Sequence, residues 1–388
     1  MNATATHPFA ALTPNPPALP GIRDEDWRFT PLRAVTSQAW AAPSAGPIKL
    51  DVPDLGGARL VFVNGRADES LSRLGNLPKG VAIARELPPL RLAGADRPFA
   101  ALNDKLARAG ARIRVARNVK VERPLQVVYA GGDGAAFARV AIELEQGAEL
   151  SVAECFVGTG MHFLGAITEA VIGPNASLKY ARVIADSAQA VHMGEFHARL
   201  GRDARLVLDS IALEAELART EIRVELDGEG SRCDLRGLAL AHAHALLDHQ
   251  IQVDHARPHA TSRQLFRNIV DDKARAVFAG RVIVRPGAMG TDAQQTNNNL
   301  LLSDDARVDT KPSLEIYADD VKCGHGATSG QLDPGAVFFL RSRGLDMRQA
   351  RAVLTWAFAN EIIQHAAVEG VGASVTKVMH ERLKGIEE

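Results

Sequence analysis

A turn-like tetrad recurs about every 28 residues through the middle of the chain. The four clearest tetrads, which share a small residue at the second position, are 147–150, 175–178, 203–206 and 230–233. Their second positions are spaced by 28, 28 and 27 residues, and weaker copies follow at Ala260 and Ala288. The half-period positions that also carry alanine are Ala190, Ala218, Ala245 and Ala274. A half-repeat of about fourteen residues holds one strand and one turn, so the period indicates a β-solenoid with small residues at its corners.

An ordinary β-sandwich is the alternative to a solenoid, because it also has a turn every 8–12 residues. The first residues of the four clearest tetrads favour the solenoid. They are Gly147, Asn175, Asp203 and Gly230, all of types that tolerate a left-handed backbone at a turn. The sequence therefore predicts mainly β structure, with a β-solenoid over residues 111–330.

The N-terminal region, residues 1–110, combines helical and strand-like signals. Residues 24–32 predict a short capped helix that ends at a proline, and residues 98–109 predict a second helix. We expect a mixed α/β region here.

The C-terminal region, residues 331–388, changes to a helical period. Asp333 is a candidate N-cap for a short helix, and Asp346 with Gln349 forms a capping box for a longer one. A third helix is expected over about 374–383. This helical tail is expected to cover an open end of the solenoid or to bind a partner.

Composition narrows the possible functions and compartments. The net charge is −1 and no Lys/Arg block is present, which argues against nucleic-acid and membrane-surface roles. Three cysteines without a CxxC pair, Cys155, Cys233 and Cys323, favour a reducing compartment. No signal-peptide pattern and no run of about 20 apolar residues occurs. We expect a soluble, cytoplasmic protein.

Common catalytic motifs are missing from the sequence. It contains no GxxxxGK[ST] phosphate loop, no GxGxxG turn, no HExxH helix and no GxSxG elbow. We therefore expect that the chain does not hydrolyse ATP or peptides by itself.

A thiol and an imidazole stand two residues apart at Cys323 and His325. The alternation over 313–322 predicts a strand that includes this pair, and residues i and i+2 of a strand project from one face. The two side chains can then share a ligand. The alternative is structural, because free cysteines are often buried and a strand histidine is often only hydrogen-bonded.

Two further groups of polar residues are weaker candidates for a site. A histidine-rich stretch, whose first two members are predicted on one strand face, consists of His242, His244, His249, His255 and His259. An aspartate group that would suit a polysaccharide-cleaving β-solenoid enzyme consists of Asp304, Asp305, Asp309, Asp319 and Asp320. Aspartate is also common at solenoid turns, and 5% aromatic residues provide few stacking surfaces for sugars. We favour turn roles for these aspartates.

The segment from residue 297 to 328 resembles the core signature of the SufB/SufD family. The matching stretches are Asn297 to Leu302, Ser303 to Ala306, Asp309 to Pro312, Leu314 to Tyr317, Asp319 to Lys322 and Cys323 to Thr328. Residues 340–344 and the pair Asn360 and Glu361 extend the resemblance towards the C-terminus. The SufD branch fits better, since the chain is short for SufB, has no cysteine before Cys155, and carries a SufD-like pattern at 26–32.

The resemblance implies a fold and a set of partners. It implies a right-handed parallel β-helix flanked by N-terminal and C-terminal helical regions. It also implies a non-catalytic scaffold subunit for iron–sulfur cluster assembly, which pairs with SufB through the β-helix edge. The SufC ATPase would bind the C-terminal helices, at about 333–383. A homodimer remains open when SufB is absent.

The resemblance also assigns roles to the pair on the predicted strand. His325 matches a probable cluster ligand that faces a SufB cysteine, and Cys323 would be an auxiliary ligand or a thiol sensor. The cluster would be transient and shared with SufB, with no cofactor tightly bound by this chain alone. A carbohydrate-active β-helix enzyme and a purely structural docking module are the alternatives.

Overall fold

A computed structural model describes residues 7–44, 48, 50–75, 77–94 and 97–385, with the side chains of 384 and 385 excepted. The strands are β1 (Arg59–Val63), β2 (Arg66–Ala67), β3 (Val81–Ala84), β4 (Ala109–Val115), β5 (Leu125–Gly131), β6 (Gly134–Leu144), β7 (Glu149–Gly158), β8 (His162–Ile172), β9 (Ser177–Ala185), β10 (Val191–Leu200), β11 (Arg205–Glu214), β12 (Leu217–Leu226), β13 (Arg232–Ala241), β14 (Leu246–His255), β15 (Thr261–Val270), β16 (Arg275–Val284), β17 (Asp292–Leu301), β18 (Arg307–Ile316) and β19 (Lys322–Gly330). The helices are α1 (Arg33–Thr36), α2 (Pro98–Leu106), α3 (Pro334–Ser342), α4 (Met347–Ile363) and α5 (Val371–Gly385).

The strands wind into a parallel β-solenoid of about eight turns, which confirms the predicted fold class. One sheet has the order β19-β17-β15-β13-β11-β9-β7-β5-β1-β2, and the other has the order β18-β16-β14-β12-β10-β8-β6-β4-β3. Each turn therefore contributes one strand to each sheet, as a half-repeat of about fourteen residues requires. The sheets already include β1 to β3, which lie before residue 111, and β4, which begins at Ala109.

The corners of the coil are built as the repeat predicts. The small residues at the second position of each repeat are all fully buried. They are Ala148, Ala176, Ala204, Ser231, Ala260 and Ala288. The residue before each of the first four has a positive φ, as at Asn175 with 57° and Asp203 with 54°. The backbone N–H of Ala204 donates to the Gly201 carbonyl over 3.1 Å and closes a tight turn. One half-period position departs from the pattern, because Ala218 lies within β12 rather than at a corner.

Enlarging a corner residue should destabilise the coil. We expect Ala204→Leu to lower the free energy of unfolding by about 1–3 kcal/mol, because extra methylenes in a filled corner force neighbouring atoms apart. The measurement is the urea midpoint. Ala357→Leu, on the exposed side of α4, is the matched control and should leave the midpoint nearly unchanged. Equal midpoints for the two variants would contradict this view of the corners.

The N-terminal segment packs on the outside of the second sheet. Phe9 contacts Phe163 of β8 with ring centroids 4.9 Å apart, and Trp40 is buried beside them. The predicted short helix at 24–32 is instead a 3-10 turn at Glu25–Trp27, with α1 starting after the proline. Helix α2 ends at Leu106, three residues before the predicted end, because β4 begins at Ala109.

Helices α4 and α5 pack on the outside of the first sheet. Asp333 accepts hydrogen bonds from two backbone N–H groups at the start of α3, and the predicted capping box of Asp346 and Gln349 is present in α4. Buried Ile362 and Ile363 join a cluster with Leu238 and other outward residues of the sheet. Helix α4 thus lies over β13 and β15. The helices therefore cover a side of the solenoid, and the expectation that they cover its open end is wrong.

Within the described residues, no helix has the length and apolar character needed to cross a membrane.

Candidate functional site

The solenoid ends at its C-terminal side in a coil that no described part of the chain covers. Strand β19 is the last strand of one sheet and β18 is the last strand of the other. Most residues of β19 are exposed, whereas every second residue of β17 beneath it is buried. Parallel strands at such an end leave backbone N–H and C=O groups available for another chain. The open end is therefore a natural pairing surface.

Cys323 and His325 lie on the inward line of β19. Cys323 pairs in register with Ala293 of β17, and His325 pairs with Gln295. Ala293 and Gln295 are buried inside the coil, so the two residues above them continue the interior column at its open end. They stand at i and i+2 of one strand and share a face, as predicted.

The strand that carries this pair is shorter than the sequence suggests. Strand β18 ends at Ile316, a turn follows over 317–321, and β19 starts at Lys322. The predicted single strand across 313–322 is therefore wrong, because its alternation belongs to β18 and to a corner. The spacing argument for Cys323 and His325 survives because both residues fall within β19.

The accessible thiol of the chain is Cys323. It is half-buried and packs against a small apolar cluster that includes Val282 and Val284. Burial raises the pKa of its thiol above the ordinary value, with the carboxylate of Asp292 adding to the effect and a backbone N–H at Ala293 opposing it. Cys323 is thus held as a thiol until a metal ion or a partner's charge stabilises the thiolate.

The other two cysteines are unsuited to ligation. Cys155 and Cys233 are buried, and burial raises the pKa of Cys155 to about 12. Burial also raises the pKa of the Cys233 thiol well above its usual range. Both act as small core residues.

A polar floor lies directly beneath the pair. The side-chain amide of Gln295 donates to Gln264 over 2.9 Å, and that of Asn268 donates to Asn299 over 2.7 Å. The Oε1 atom of Gln295, one layer below His325, is buried without a hydrogen-bond partner. The interior thus changes from apolar to amide-lined towards the open end. The alternation of Gln295, Asn297 and Asn299 in the sequence is the signal that could have predicted this floor.

The histidine-rich stretch does not form a site. His242 and His244 lie in the turn after β13, so the prediction that they share a strand face is wrong. His249 contacts Ser210 over 2.9 Å, and His255 contacts Ser262 over 2.8 Å, each inside the coil.

Burial determines the charge state of the two interior histidines. It lowers the pKa of His249 to about 4, and it does the same for His255. Both are neutral hydrogen-bonding core residues.

Four of the five aspartates are divided between two corners, and the fifth lies on a strand. Asp304 and Asp305 lie in the turn from β17 to β18, whereas Asp319 and Asp320 lie in the turn from β18 to β19 on the opposite edge. Asp309 is on β18 and accepts a hydrogen bond from Arg275. These five residues form no carboxylate pair of a polysaccharide-cleaving enzyme. The predicted turn role is confirmed for the other four and is wrong for Asp309, which pairs with Arg275 on the strand.

Helix α3 presents an exposed apolar surface. None of its residues is buried, and Phe338 and Phe339 are 72% and 56% exposed. A groove beside it is lined by Leu302, Val337 and Met347 among others. Large exposed aromatic residues of this kind mark protein-binding surfaces more often than free ones.

The fold and its open end define a parallel β-helix protein whose last coil presents a thiol and an imidazole on one strand face. A family model described as SUF system FeS cluster assembly, SufBD core domain, matches residues 127–358. The chain belongs to the SufB/SufD family.

Several relatives resemble most of the chain. The iron–sulfur cluster assembly protein SufD of Escherichia coli is 34% identical over 384 residues, which cover 95% of this chain and 90% of the relative. A SufBD family protein of Synechocystis is 31% identical, covering 89% of this chain and 83% of the relative. SufD of Bacillus subtilis is 28% identical, covering 73% and 66%. The similarity favours the SufD branch and supports a role in iron–sulfur cluster assembly.

Proposed function

We propose that this chain is a non-catalytic scaffold subunit of a cytoplasmic SUF assembly complex. It pairs with a SufB-like chain through its open end and recruits a SufC-like ABC ATPase through its C-terminal helices. The observation that carries the proposal is the uncovered last coil, where His325 and Cys323 extend the interior column without a described covering segment. A role in cluster assembly follows from the family.

The exposed end of the second sheet supports the pairing step. Ile316 closes β18 and Tyr317 follows it, and they are 43% and 59% exposed. Apolar side chains beside free strand edges suit β-strand addition, in which backbone hydrogen bonds provide affinity and side chains provide specificity. A second β-helix of the same type would offer a matching edge.

The chemistry at the junction requires ligands from both chains. A [2Fe–2S] or [4Fe–4S] cluster takes four protein ligands in all, usually thiolates, with imidazole as a known substitute. His325 and Cys323 provide two at most, so the remaining ligands must come from the SufB-like chain. We assign His325 as a ligand, and Cys323 as an auxiliary ligand or thiol sensor. The cluster is cargo here, and a site divided between two chains has few fixed ligands, which favours its release.

The ATPase is assigned to the α3 surface. We expect Phe338→Ser with Phe339→Ser to abolish co-purification of the SufC-like ATPase while the SufB-like chain still co-purifies, because the two aromatic side chains are exposed and belong to α3 rather than to the last strands of the sheets. The measurement is the subunit ratio after affinity purification. Ile22→Ser, at another exposed apolar residue, is the control. Retention of the ATPase by the double variant would contradict the assignment.

The proposed function is tested by the complementary variant at the open end. Co-expression of all three chains should yield one complex for the wild type, and Ile316→Lys with Tyr317→Lys should release the SufB-like chain while the ATPase remains bound. A chain that stays monomeric or forms only homodimers in the presence of both partners would refute the scaffold proposal. Cleavage of an acidic polysaccharide would favour the β-helix enzyme instead.

A further inference from the structure

Two histidines and an aspartate meet in a buried corner far from the open end. The Nε2 atoms of His162 and His192 lie 3.0 Å and 2.6 Å from the same carboxylate oxygen, Oδ2 of Asp186. The three ligand atoms all lie within 4.8 Å of one another. All three residues are buried. This cluster plays no part in the pairing or docking proposed above.

The cluster joins two successive coils. His162 is the first residue of β8, Asp186 lies in the turn after β9, and His192 is the second residue of β10. Five strand steps separate β8 from β18 and β9 from β19, which is roughly 24 Å at the spacing of neighbouring strands. An occupant of this corner would therefore be independent of a cluster at His325.

Glycines leave the space that the ligand side chains occupy. A Cβ atom at Gly131 would lie 2.5 Å from the His162 ring, and one at Gly158 would lie 2.6 Å from that ring and 2.8 Å from Oδ1 of Asp186. Any other residue at these positions would displace the imidazole or the carboxylate. The backbone is thus shaped around the cluster.

Imidazoles and a backbone N–H are the partners of the buried Asp186 carboxylate in the described structure. Its side chain is fully buried, and its partners are the two imidazoles and the backbone N–H of Ser187 at 2.7 Å. Among the described residues it makes no ion pair with lysine or arginine. A buried carboxylate normally has a cation beside it, and a bound metal ion meets that need.

The donor set selects a class of ion. Two neutral imidazoles with one carboxylate suit Zn²⁺ and Fe²⁺, and they disfavour Ca²⁺ and Mg²⁺, which prefer oxygen ligands. A tetrahedral Zn²⁺ holds its ligand atoms roughly 3.3 Å apart, so the present N to O distances need only a small expansion. The turns that contain Gly160 and Gln189 are exposed to solvent. An ion from solvent therefore needs to pass only these turns to reach the cluster.

We propose that His162, Asp186 and His192 bind one divalent transition metal ion, Zn²⁺ or Fe²⁺, which links adjacent coils of the solenoid. When the ion binds, the proton of each neutral imidazole resides on Nδ1 instead of hydrogen-bonding Asp186, which leaves each Nε2 as a neutral ligand atom. A fourth position remains for water or for the second carboxylate oxygen.

The test is metal titration of the full-length chain after treatment with a chelator. We expect one Zn²⁺ per chain by calorimetry, visible d–d absorption when Co²⁺ replaces Zn²⁺, and a rise in the unfolding temperature of about 4 °C at a hundredfold excess over Kd. Anaerobic titration with Fe²⁺ decides which ion binds more tightly.

Variants assign the binding to the corner. Asp186→Asn and His192→Gln should each weaken Zn²⁺ binding at least a hundredfold. The controls are His249→Gln, at a buried histidine outside the cluster, and Cys323→Ser with His325→Ala, and both should bind one ion as the wild type does.

Three results would overturn the proposal: wild-type protein that binds no ion at micromolar concentrations, Asp186→Asn that folds and binds normally, or loss of the ion in the Cys323 and His325 variant. The first is measured on unaltered protein and does not depend on the folding of any variant. The first two results do not bear on cluster assembly at His325, whereas the third would place the ion at the open end.

Discussion

His325→Ala should abolish iron–sulfur cluster maturation in cells while the complex with the partner chains still forms. The imidazole is exposed at the open end, so its removal leaves the packing of β19 on β17 intact. Losing one of the few ligands at a shared site should reduce maturation at least tenfold, because even the loss of a group that only hydrogen-bonds a metal ligand costs about 10–100-fold. The measurement is the activity of a cluster-dependent enzyme in a strain that relies on this chain.

His244→Ala is the matched control for that variant. His244 is also an exposed histidine near the end of a strand, but it lies in the turn after β13 and away from β19. It should support normal maturation. Normal maturation in His325→Ala, or a complex that falls apart in it, would remove the ligand assignment. Cys323→Ser separates the two roles of the thiol. If Cys323 is only a sensor, the variant should mature clusters normally under anaerobic conditions. If Cys323 is a ligand, the variant should be defective there as well.

Arg182→Met should destabilise the coil more than any surface substitution. Inside the solenoid, Nη1 of Arg182 lies 2.5 Å from Oε2 of Glu154, and Thr168 donates to the other carboxylate oxygen over 2.7 Å. The guanidinium also lies 4.3 Å from the ring centre of Phe156. Removing one partner leaves a charge buried, which costs about 3–5 kcal/mol. The measurement is the free energy of unfolding in urea.

Two comparisons isolate the buried charge as the cause. The double variant Glu154→Leu with Arg182→Met removes both charges and should recover most of the lost stability. Arg199→Met breaks an exposed ion pair with Glu225 and should cost less than about 1 kcal/mol. An Arg182→Met protein as stable as Arg199→Met would contradict the view that the interior charges depend on each other.

The solenoid could be predicted because its corners repeat a steric requirement. At each corner the stacked turns approach so closely that residues such as Ala148, Ala176 and Ala204 have no space for a larger side chain. That requirement imposes a period of about 28 residues on the sequence. The corners at the half-period positions are less uniform in their spacing. For this reason one of the half-period alanines, Ala218, falls inside a strand. Helix α5 starts at Val371 rather than near residue 374. The ends of helices are less sharply defined than their middles, so a sequence pattern locates them less accurately.

The candidate site was predicted in part for a similar reason. Cys323 and His325 are two residues apart, and the period of a strand places them together wherever that strand begins. The corner cluster was missed because His162 and His192 are separated by one coil, and their meeting depends on strand register rather than local spacing. The side on which the C-terminal helices pack was also hidden, since an apolar helix stripe does not reveal which sheet face receives it.

The pairing of the open end with a SufB-like chain is the central claim, and anaerobic co-expression of the three chains followed by visible absorbance of the purified complex tests it most directly. We predict a complex containing all three chains with the absorbance of an iron–sulfur cluster, and an equally intact His325→Ala complex in which that absorbance is lost. A His325→Ala complex that absorbs like the wild type would contradict the claim that the cluster forms at this junction.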